Sequence, residues 1–391
     1  MKFRNLVLKL HGAIGILMGL LLVVITLSGA SIVFHEELDR TLNRSLWSVT
    51  PQATQISPDL ILASVQKELP NFSVQSIRWP QKPDESYLFQ MKAKDGNELQ
   101  TFVDPYTGEV LGSRVWERSL IGFLYVLHHD LFVGKVGMII VGIAGVSLLL
   151  MAITGAILWT GWRKLTKGFK VRWNAPLPLV SYDIHKIGGI VSNFFLLIIS
   201  FTGVSITILH FLPMFNQPVQ VQAALQQPPL AFSKLLRKAD APMPDGKTTY
   251  VSFSEAQLQN LTFRKKLPNQ QTGYFDFSSV ELNRYSGEVL KVNKVSKPED
   301  AMSKLMIILA DFHFGIFGGL PTRIFYMFIG FMPTVLLITG IITWQRRRYL
   351  RQVSPTLMDF QIKKYPKFSC GMGILPVLIL GMGKMPIPQN G

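Results

Sequence analysis

The chain has 391 residues, 48% of them hydrophobic and 16% charged, with a mean hydropathy of +0.27. That apolar excess excludes a purely water-soluble enzyme, and with 11% aromatic residues it excludes a disordered chain as well. A single cysteine, Cys370, excludes a disulfide framework, an iron–sulfur cluster and a multi-cysteine zinc site, and the net charge of +16 suggests nucleic acid only until its placement is considered.

Taken in chain order, a basic start (Lys2, Arg4, Lys9) leads into an apolar run at 12–34. The run outlasts the apolar core of a signal peptide, and its small residues are followed by more apolar sequence, so 1–35 reads as a retained spanning helix. Three further runs, at 136–160, 187–209 and 324–344, also reach the roughly 20 residues that a bilayer requires. Residues 36–118 and 211–305 are outer domains. Each outer segment begins with a short amphipathic helix (PDLILASVQKEL at 58–69, SKLLRKA at 233–239) and continues as alternating strands with turn chemistry. Spans two and four, within 119–162 and 306–348, each carry an interfacial segment before them. A loop at 163–186 precedes the third span (187–210), and 349–391 is a flexible tail.

Residues 1–10, 161–186 and 345–391 hold 17 of the 40 Lys and Arg but only two acids, Asp183 and Asp359. By the positive-inside rule these segments are cytoplasmic, so both termini lie inside. Trp159, Trp162, Trp344 and the Arg346–Arg348 triplet mark the inner interface. The basic excess is therefore a topology signal, and no nucleic-acid partner is expected.

The chain also repeats itself. His11, Gly15, Gly29, Ser31 and Ile32 recur 174 positions later as His185, Gly189, Gly203, Ser205 and Ile206. His128, Gly134, Thr154, Gly155 and Trp159 recur 185 positions later as His313, Gly319, Thr339, Gly340 and Trp344. Tyr106-Thr-Gly-Glu-Val-Leu returns as Tyr285-Ser-Gly-Glu-Val-Leu. The expected architecture is a membrane α-helical fold: a four-helix transmembrane bundle made by tandem duplication, with a pseudo-twofold axis along the membrane normal and two α+β outer domains.

The seven histidines all fall at or near ends of expected helices. An imidazole near a bilayer is costly unless paired or functional, and bundle interiors hold haems through axial histidines. A haem on a pseudo-twofold axis takes equivalent ligands from both halves. That pairs His11 with His185 at the inner face and His128 with His313 at the outer face, giving two haems. His35 and His210, one position out of register, are a further candidate pair, and His129, which aligns with Phe314, is the weakest candidate. The plain alternative is a set of interfacial polar residues, and a zinc or copper site drawing on Glu36, Glu37, Asp130 or Asp311 is the competing metal reading. The inner loop is too short for a nicotinamide or flavin domain, so electrons would come from a quinol or a separate donor.

These residues lie in four motifs: LHGAIG at 10–15, LHHDLFVGKVG at 127–137, DIHKIGG at 183–189 and FHFGIFGGLPTR at 312–323. With the two Tyr-[Thr/Ser]-Gly-Glu-Val turns, they resemble the PepSY-associated transmembrane-helix family of iron-regulated bacterial inner-membrane proteins, over about 1–350. The resemblance implies PepSY-like outer domains in the periplasm, b-type haems on His11, His185, His128 and His313, and reduction of a periplasmic ferric siderophore with release of ferrous iron. Trp116, Tyr125 and Phe317 are candidates to line a docking surface for the chelate, with interfacial or core packing as their alternative. A non-enzymatic binding or regulatory membrane module, or a reductase of another metal such as copper, is the rival function.

Overall fold

The computed structural model describes residues 2–211, 228–253, 260–268, 278–294 and 301–364. The first spanning helix is α1 (Lys2–Ile32), followed by two short helices, α2 (His35–Leu42) and α3 (Arg44–Trp47). Then come α4 (Pro58–Glu68) and four strands, β1 (Phe72–Arg78), β2 (Tyr87–Ala93), β3 (Glu98–Val103) and β4 (Val110–Arg114). The chain returns through the apolar α5 (Leu120–His129) into the spanning α6 (Gly134–Leu158), and a short α7 (Leu165–Gly168) leads to α8 (Leu177–His210). The order then repeats. It runs α9 (Phe232–Asp240), β5 (Lys247–Phe253), β6 (Asn260–Lys266), β7 (Ser278–Asn283), β8 (Val289–Asn293), α10 (Ala301–Phe314) and α11 (Leu320–Lys364).

Lys2–Ile32, Gly134–Trp162, Leu177–His210 and Leu320–Leu350 are each long and apolar enough to cross a membrane, which makes this a multi-pass membrane protein. Each spanning helix packs on two neighbours, in the cyclic order α1–α6–α8–α11, so α1 and α8 face each other across the bundle diagonal. Leu22, Ile25, Ala144, Leu148, Leu196 and Ile329 form its buried centre, while Leu17, Leu20, Phe194 and Phe328 point outward as lipid-facing residues do. Helix α11 continues as far as Lys364, past the point where the sequence suggested a flexible tail; the tail beyond it, with Cys370, lies outside the described residues.

The strands of both outer segments join in one antiparallel sheet of order β4-β3-β2-β1-β5-β6-β7-β8. Separate sheets were the natural expectation from two separate segments. Instead β1 and β5 pair at Ser76–Ser252, Ile77–Val251 and Arg78–Tyr250, and a single apolar core runs beneath both halves. Alternation makes that core: Tyr87, Phe89 and Met91 of β2 and Leu261 and Phe263 of β6 point to the face covered by α4 and α9. The two helices are tied as well, since the Asp59 carboxylate of α4 accepts from the Phe232 and Ser233 N–H groups that open α9. The repeated turns have one geometry. Asp104 Oδ1 accepts from the N–H groups of Tyr106 and Thr107, Asn283 Oδ1 does so from Tyr285 and Ser286, and Gly108 and Gly287 take left-handed conformations (φ +74° and +67°).

Helix α2 fastens the sheet to the bundle. Glu36 receives a two-pronged bond from Arg78 of β1, and Glu37 one from Arg323 at the start of α11. Asp39 takes both Arg114 nitrogens (2.8 and 2.6 Å), the Trp47 indole N–H (2.8 Å) and the Asn43 amide (2.8 Å). Burial opposes charge on Asp39, but these donors, Arg114 first, outweigh it and hold the carboxyl below the usual carboxylate range. Arg114→Ala therefore strands a buried carboxylate and is expected to cost about 3–5 kcal/mol. With the wild type, the stability Asp39 contributes is complete above the unfolded carboxylate value of about 4 and is lost as pH falls through the lower folded value. Thermal unfolding in detergent between neutral and acidic pH checks both points: the Arg114→Ala loss should shrink as the solution is acidified. A pH-independent loss would mean that Arg114 matters only for packing.

Candidate functional site

Two pairs of imidazoles sit on the α1/α8 diagonal, one toward each end of the bundle. At the inner end the rings of His11 (α1) and His185 (α8) have centroids 6.2 Å apart with an interplanar angle of 86°. At the outer end His128 (α5, packed on α1) and His313 (α10, packed on α8) have centroids 6.1 Å apart at 36°. Along α1, the inner level at His11 and the outer level at Gly29, which lies against His128, are 18 residues apart. His185 and Gly203 on α8 repeat that spacing, about 27 Å at the helical rise and close to the thickness of a bilayer core.

Each ring is anchored through the same nitrogen. His185 Nδ1 lies 2.9 Å from the Leu336 carbonyl, His128 Nδ1 2.8 Å from that of Ile25, and His313 Nδ1 3.2 Å from that of Ile199. A carbonyl only accepts, so Nδ1 carries the proton in all three. His11 Nδ1 meets the Thr154 hydroxyl at 2.8 Å, and that hydroxyl sends its own proton to the Leu150 carbonyl at 2.6 Å, so His11 also donates. In the neutral ring each Nε2 is then left with its lone pair. This is how metal-ligating histidines are oriented by outer-shell partners. Two imidazoles binding one metal ion from opposite sides, with bonds of about 2 Å, hold their ring centres about 6 Å apart. Both pairs have that spacing.

The rings are seated on glycines of the neighbouring helix. A methyl group on Gly29 would stand 2.6 Å from His128 Cε1, one on Gly203 2.9 Å from His313 Cε1, one on Gly340 3.2 Å from His185 Cε1, and one on Gly155 3.5 Å from His11 Cε1. A hydroxyl residue precedes each glycine: Ser28, Thr202, Thr339 and Thr154. Thr202 and Thr339 also contact the Nδ1 atoms of His313 and His185. The four glycines, Thr154 and Thr339 stand out in the sequence as repeated positions, but not as ring partners, and Ser28 and Thr202 do not stand out at all, because the contacts run between helices more than 100 positions apart.

The buried donors without a partner among the described residues include Trp159 Nε1 at the inner end of α6 and Tyr326 Oη, whose ring lies against Gly315 just after His313. A flat ligand bearing carboxylates would satisfy them. The imidazole spacing, the free Nε2 atoms, the glycine seats and these donors together fit a haem at each pair. They fit a zinc or copper cage poorly: no group of three or more His, Cys, Asp or Glu that could hold a metal is present among the described residues, and Glu36 and Glu37 are engaged by arginines.

The other histidines are arranged differently from the expected third pair. His35 turns Nδ1 onto the Ile32 carbonyl (3.1 Å), and among the described residues no ring contact joins it to His210. His210 instead lies edge-on to His129, with centroids 6.3 Å apart. Of the aromatic lining candidates, Trp116 packs on Tyr125, which stacks on His129, while Phe317 packs with Phe312 and Tyr326. In the outer domain, a cleft of about 640 Å³ opens where the two halves of the sheet meet, lined by Trp79, Gln81, Arg237, Asp240 and Lys247 among others.

The fold and these ring pairs define a multi-pass membrane protein whose helical bundle carries an antiparallel sheet and two anchored bis-imidazole sites. Residues 8–347 match the family described as the PepSY-associated TM region, and the chain belongs to that family. An uncharacterized protein of Pseudomonas aeruginosa is 38% identical over 84 residues, a stretch covering 21% of this chain and 21% of that protein.

Proposed function

We propose that the chain is a bacterial inner-membrane haem-b reductase that passes electrons across the bilayer to a periplasmic ferric siderophore and releases ferrous iron. The observation that carries this reading is the pair of bis-imidazole sites, at metal-bridging spacing and at two levels of one bundle. His11 and His185 would hold one haem and His128 and His313 the other. Bound there, haem iron supplies one-electron chemistry between its ferric and ferrous states. The chain's own groups position it: Thr154 and the Leu336, Ile25 and Ile199 carbonyls fix the four rings, and Trp159 and Tyr326 offer donors to carboxylates.

The runs at 12–34, 136–160, 187–209 and 324–344 contain no Asp, Glu, Lys, Arg or His, which weighs against a transporter, whose ions or substrate would need ionisable residues in mid-span. The charge bias supports a topology with both termini in the cytoplasm and the sheet in the periplasm. The two halves descend from a tandem duplication, each with a PepSY-like outer domain. The cleft between them, with Trp79 and two cationic side chains, is the proposed docking place for the chelate. The donor on the inner side is a quinol or a separate protein. Copper reduction would use the same machinery with a different docked ion, whereas a purely regulatory or binding module would leave four oriented imidazoles without a role.

The test is the visible spectrum of the detergent-purified chain, oxidised and dithionite-reduced, with a pyridine haemochrome count. About two haem b per chain with a reducible Soret band is the expected result. A protein that stays colourless after expression with ample haem would overturn the reading.

A further inference from the structure

We infer that His129 and His210 form a separate, water-facing site for a divalent transition-metal ion at the outer rim of the bundle. The two rings come from different helices, α5 and α8, and their centroids are 6.3 Å apart at 87°. That spacing lies within reach of one ion bound by two imidazole nitrogens at about 2 Å each. Tyr125 supports the His129 ring by parallel stacking at 5.8 Å and 18°, and Phe211 lies against the His210 ring. The Asp130 carboxylate stands 3.5 Å from His129 Nδ1, on the side that leaves Nε2 for the ion. A carboxylate behind a histidine in this way orients the ring and raises its basicity as a ligand. Asp130 is itself set by the turn that follows: its other oxygen accepts the Phe132 N–H at 3.0 Å, and Leu131 and Phe132 both adopt left-handed conformations (φ 54° and 63°). They are the only non-glycine residues with positive φ among those described.

This pair differs from the two haem pairs. Among the described residues no glycine is seated against either ring, and the His129 side chain is 43% exposed, so the place suits a hydrated ion better than a buried macrocycle. Among the described residues no third His, Cys, Asp or Glu completes a metal-binding group with the two rings, so the remaining positions of the proposed ion go to water or an incoming ligand, as in an exchangeable site. Imidazole favours borderline ions such as zinc, copper, nickel and ferrous iron, whereas ferric iron prefers hard oxygen donors. The site would therefore take the product of a ferric reduction and leave the substrate to its chelator. That link to ferrous iron rests on the reductase reading, but the site itself does not. His129 follows His128 directly, so the ion would be held beside the outer haem pair.

Zinc chloride alone, which cannot be reduced, is titrated into the full-length chain in detergent by calorimetry, with the haem spectrum recorded on the same samples. The wild type should bind one zinc ion per chain. H129F, which installs the residue that the second half carries at Phe314 and keeps a ring on Tyr125, should weaken binding by at least about tenfold, and so should H210Q. Both variants should keep the wild-type haem content, and H35Q should keep wild-type zinc affinity. Absence of zinc binding in the wild type, or wild-type affinity in either H129F or H210Q, would overturn the site. Because zinc binding and haem content are read separately, a colourless protein that still binds zinc through this pair would remove only the reductase reading.

Discussion

Replacing His313 with alanine is expected to lower the haem content from about two to about one per chain and to leave the inner haem spectrum unchanged; His11→Ala should do the converse. Under the proposed function each pair would supply its two imidazoles from opposite sides of the diagonal, so losing one would leave the haem held by a single imidazole. The independence of the two sites follows from their separation of about 27 Å along α1 and α8. His35→Ala is the matched control, because that ring turns back onto the Ile32 carbonyl at the end of α1 and its loss should leave both haems in place. Haem counting and low-temperature reduced spectra of the three variants check the assignment. Retention of two haems in His313→Ala, or loss of both, would show that the outer pair is not a distinct ligand set.

The features that were legible in the sequence are those whose signal is local or repeated. The four spans stand out because about 20 apolar residues without charge have few other uses. The ring pairs His11/His185 and His128/His313 were legible because duplicated offsets substitute for contact information, and the structure brings both pairs together. The two turns at Asp104–Gly108 and Asn283–Gly287 were legible for the same reason.

What escaped notice depends on contacts between distant segments. The β1–β5 pairing joins strands about 170 positions apart and makes one sheet from two segments, and nothing in either strand's alternation announces its edge partner. Glu36 and Glu37, near the outer histidines, were candidate metal ligands by sequence position, whereas Arg78 and Arg323, distant in the chain, pair with them. His129 was ranked last because the repeat places Phe314 opposite it; its ring contact with His210 joins the two halves of the chain out of register, which an argument from symmetry does not reach. His210 was read against His35 by register, while the rim geometry sets it against His129.

The glycine seats yield a graded expectation. Glycine to alanine in a helix interior gains about 1 kcal/mol of propensity, while forcing a methyl into a packed site costs about 1–3 kcal/mol. Which wins depends on the space available. At Gly155 the methyl would meet His11 Cε1 at an ordinary 3.5 Å, so Gly155→Ala should be neutral or slightly stabilising. At Gly340 the gap to His185 narrows to 3.2 Å, at Gly203 the gap to His313 is 2.9 Å, and at Gly29 the gap to His128 is 2.6 Å. Gly29→Ala must push the His128 ring away and break its bond to the Ile25 carbonyl, without removing any ligand. Loss of such an orienting bond typically costs 10–100-fold in metal affinity. Outer-haem retention, followed by transfer to apomyoglobin, should therefore fall in the order Gly203→Ala, then Gly29→Ala, with inner-haem retention lowered slightly by Gly340→Ala and unaffected by Gly155→Ala. Equal effects at all four positions would mean that the glycines serve helix packing alone, and a loss at Gly155 greater than that at Gly29 would contradict the seating of the rings.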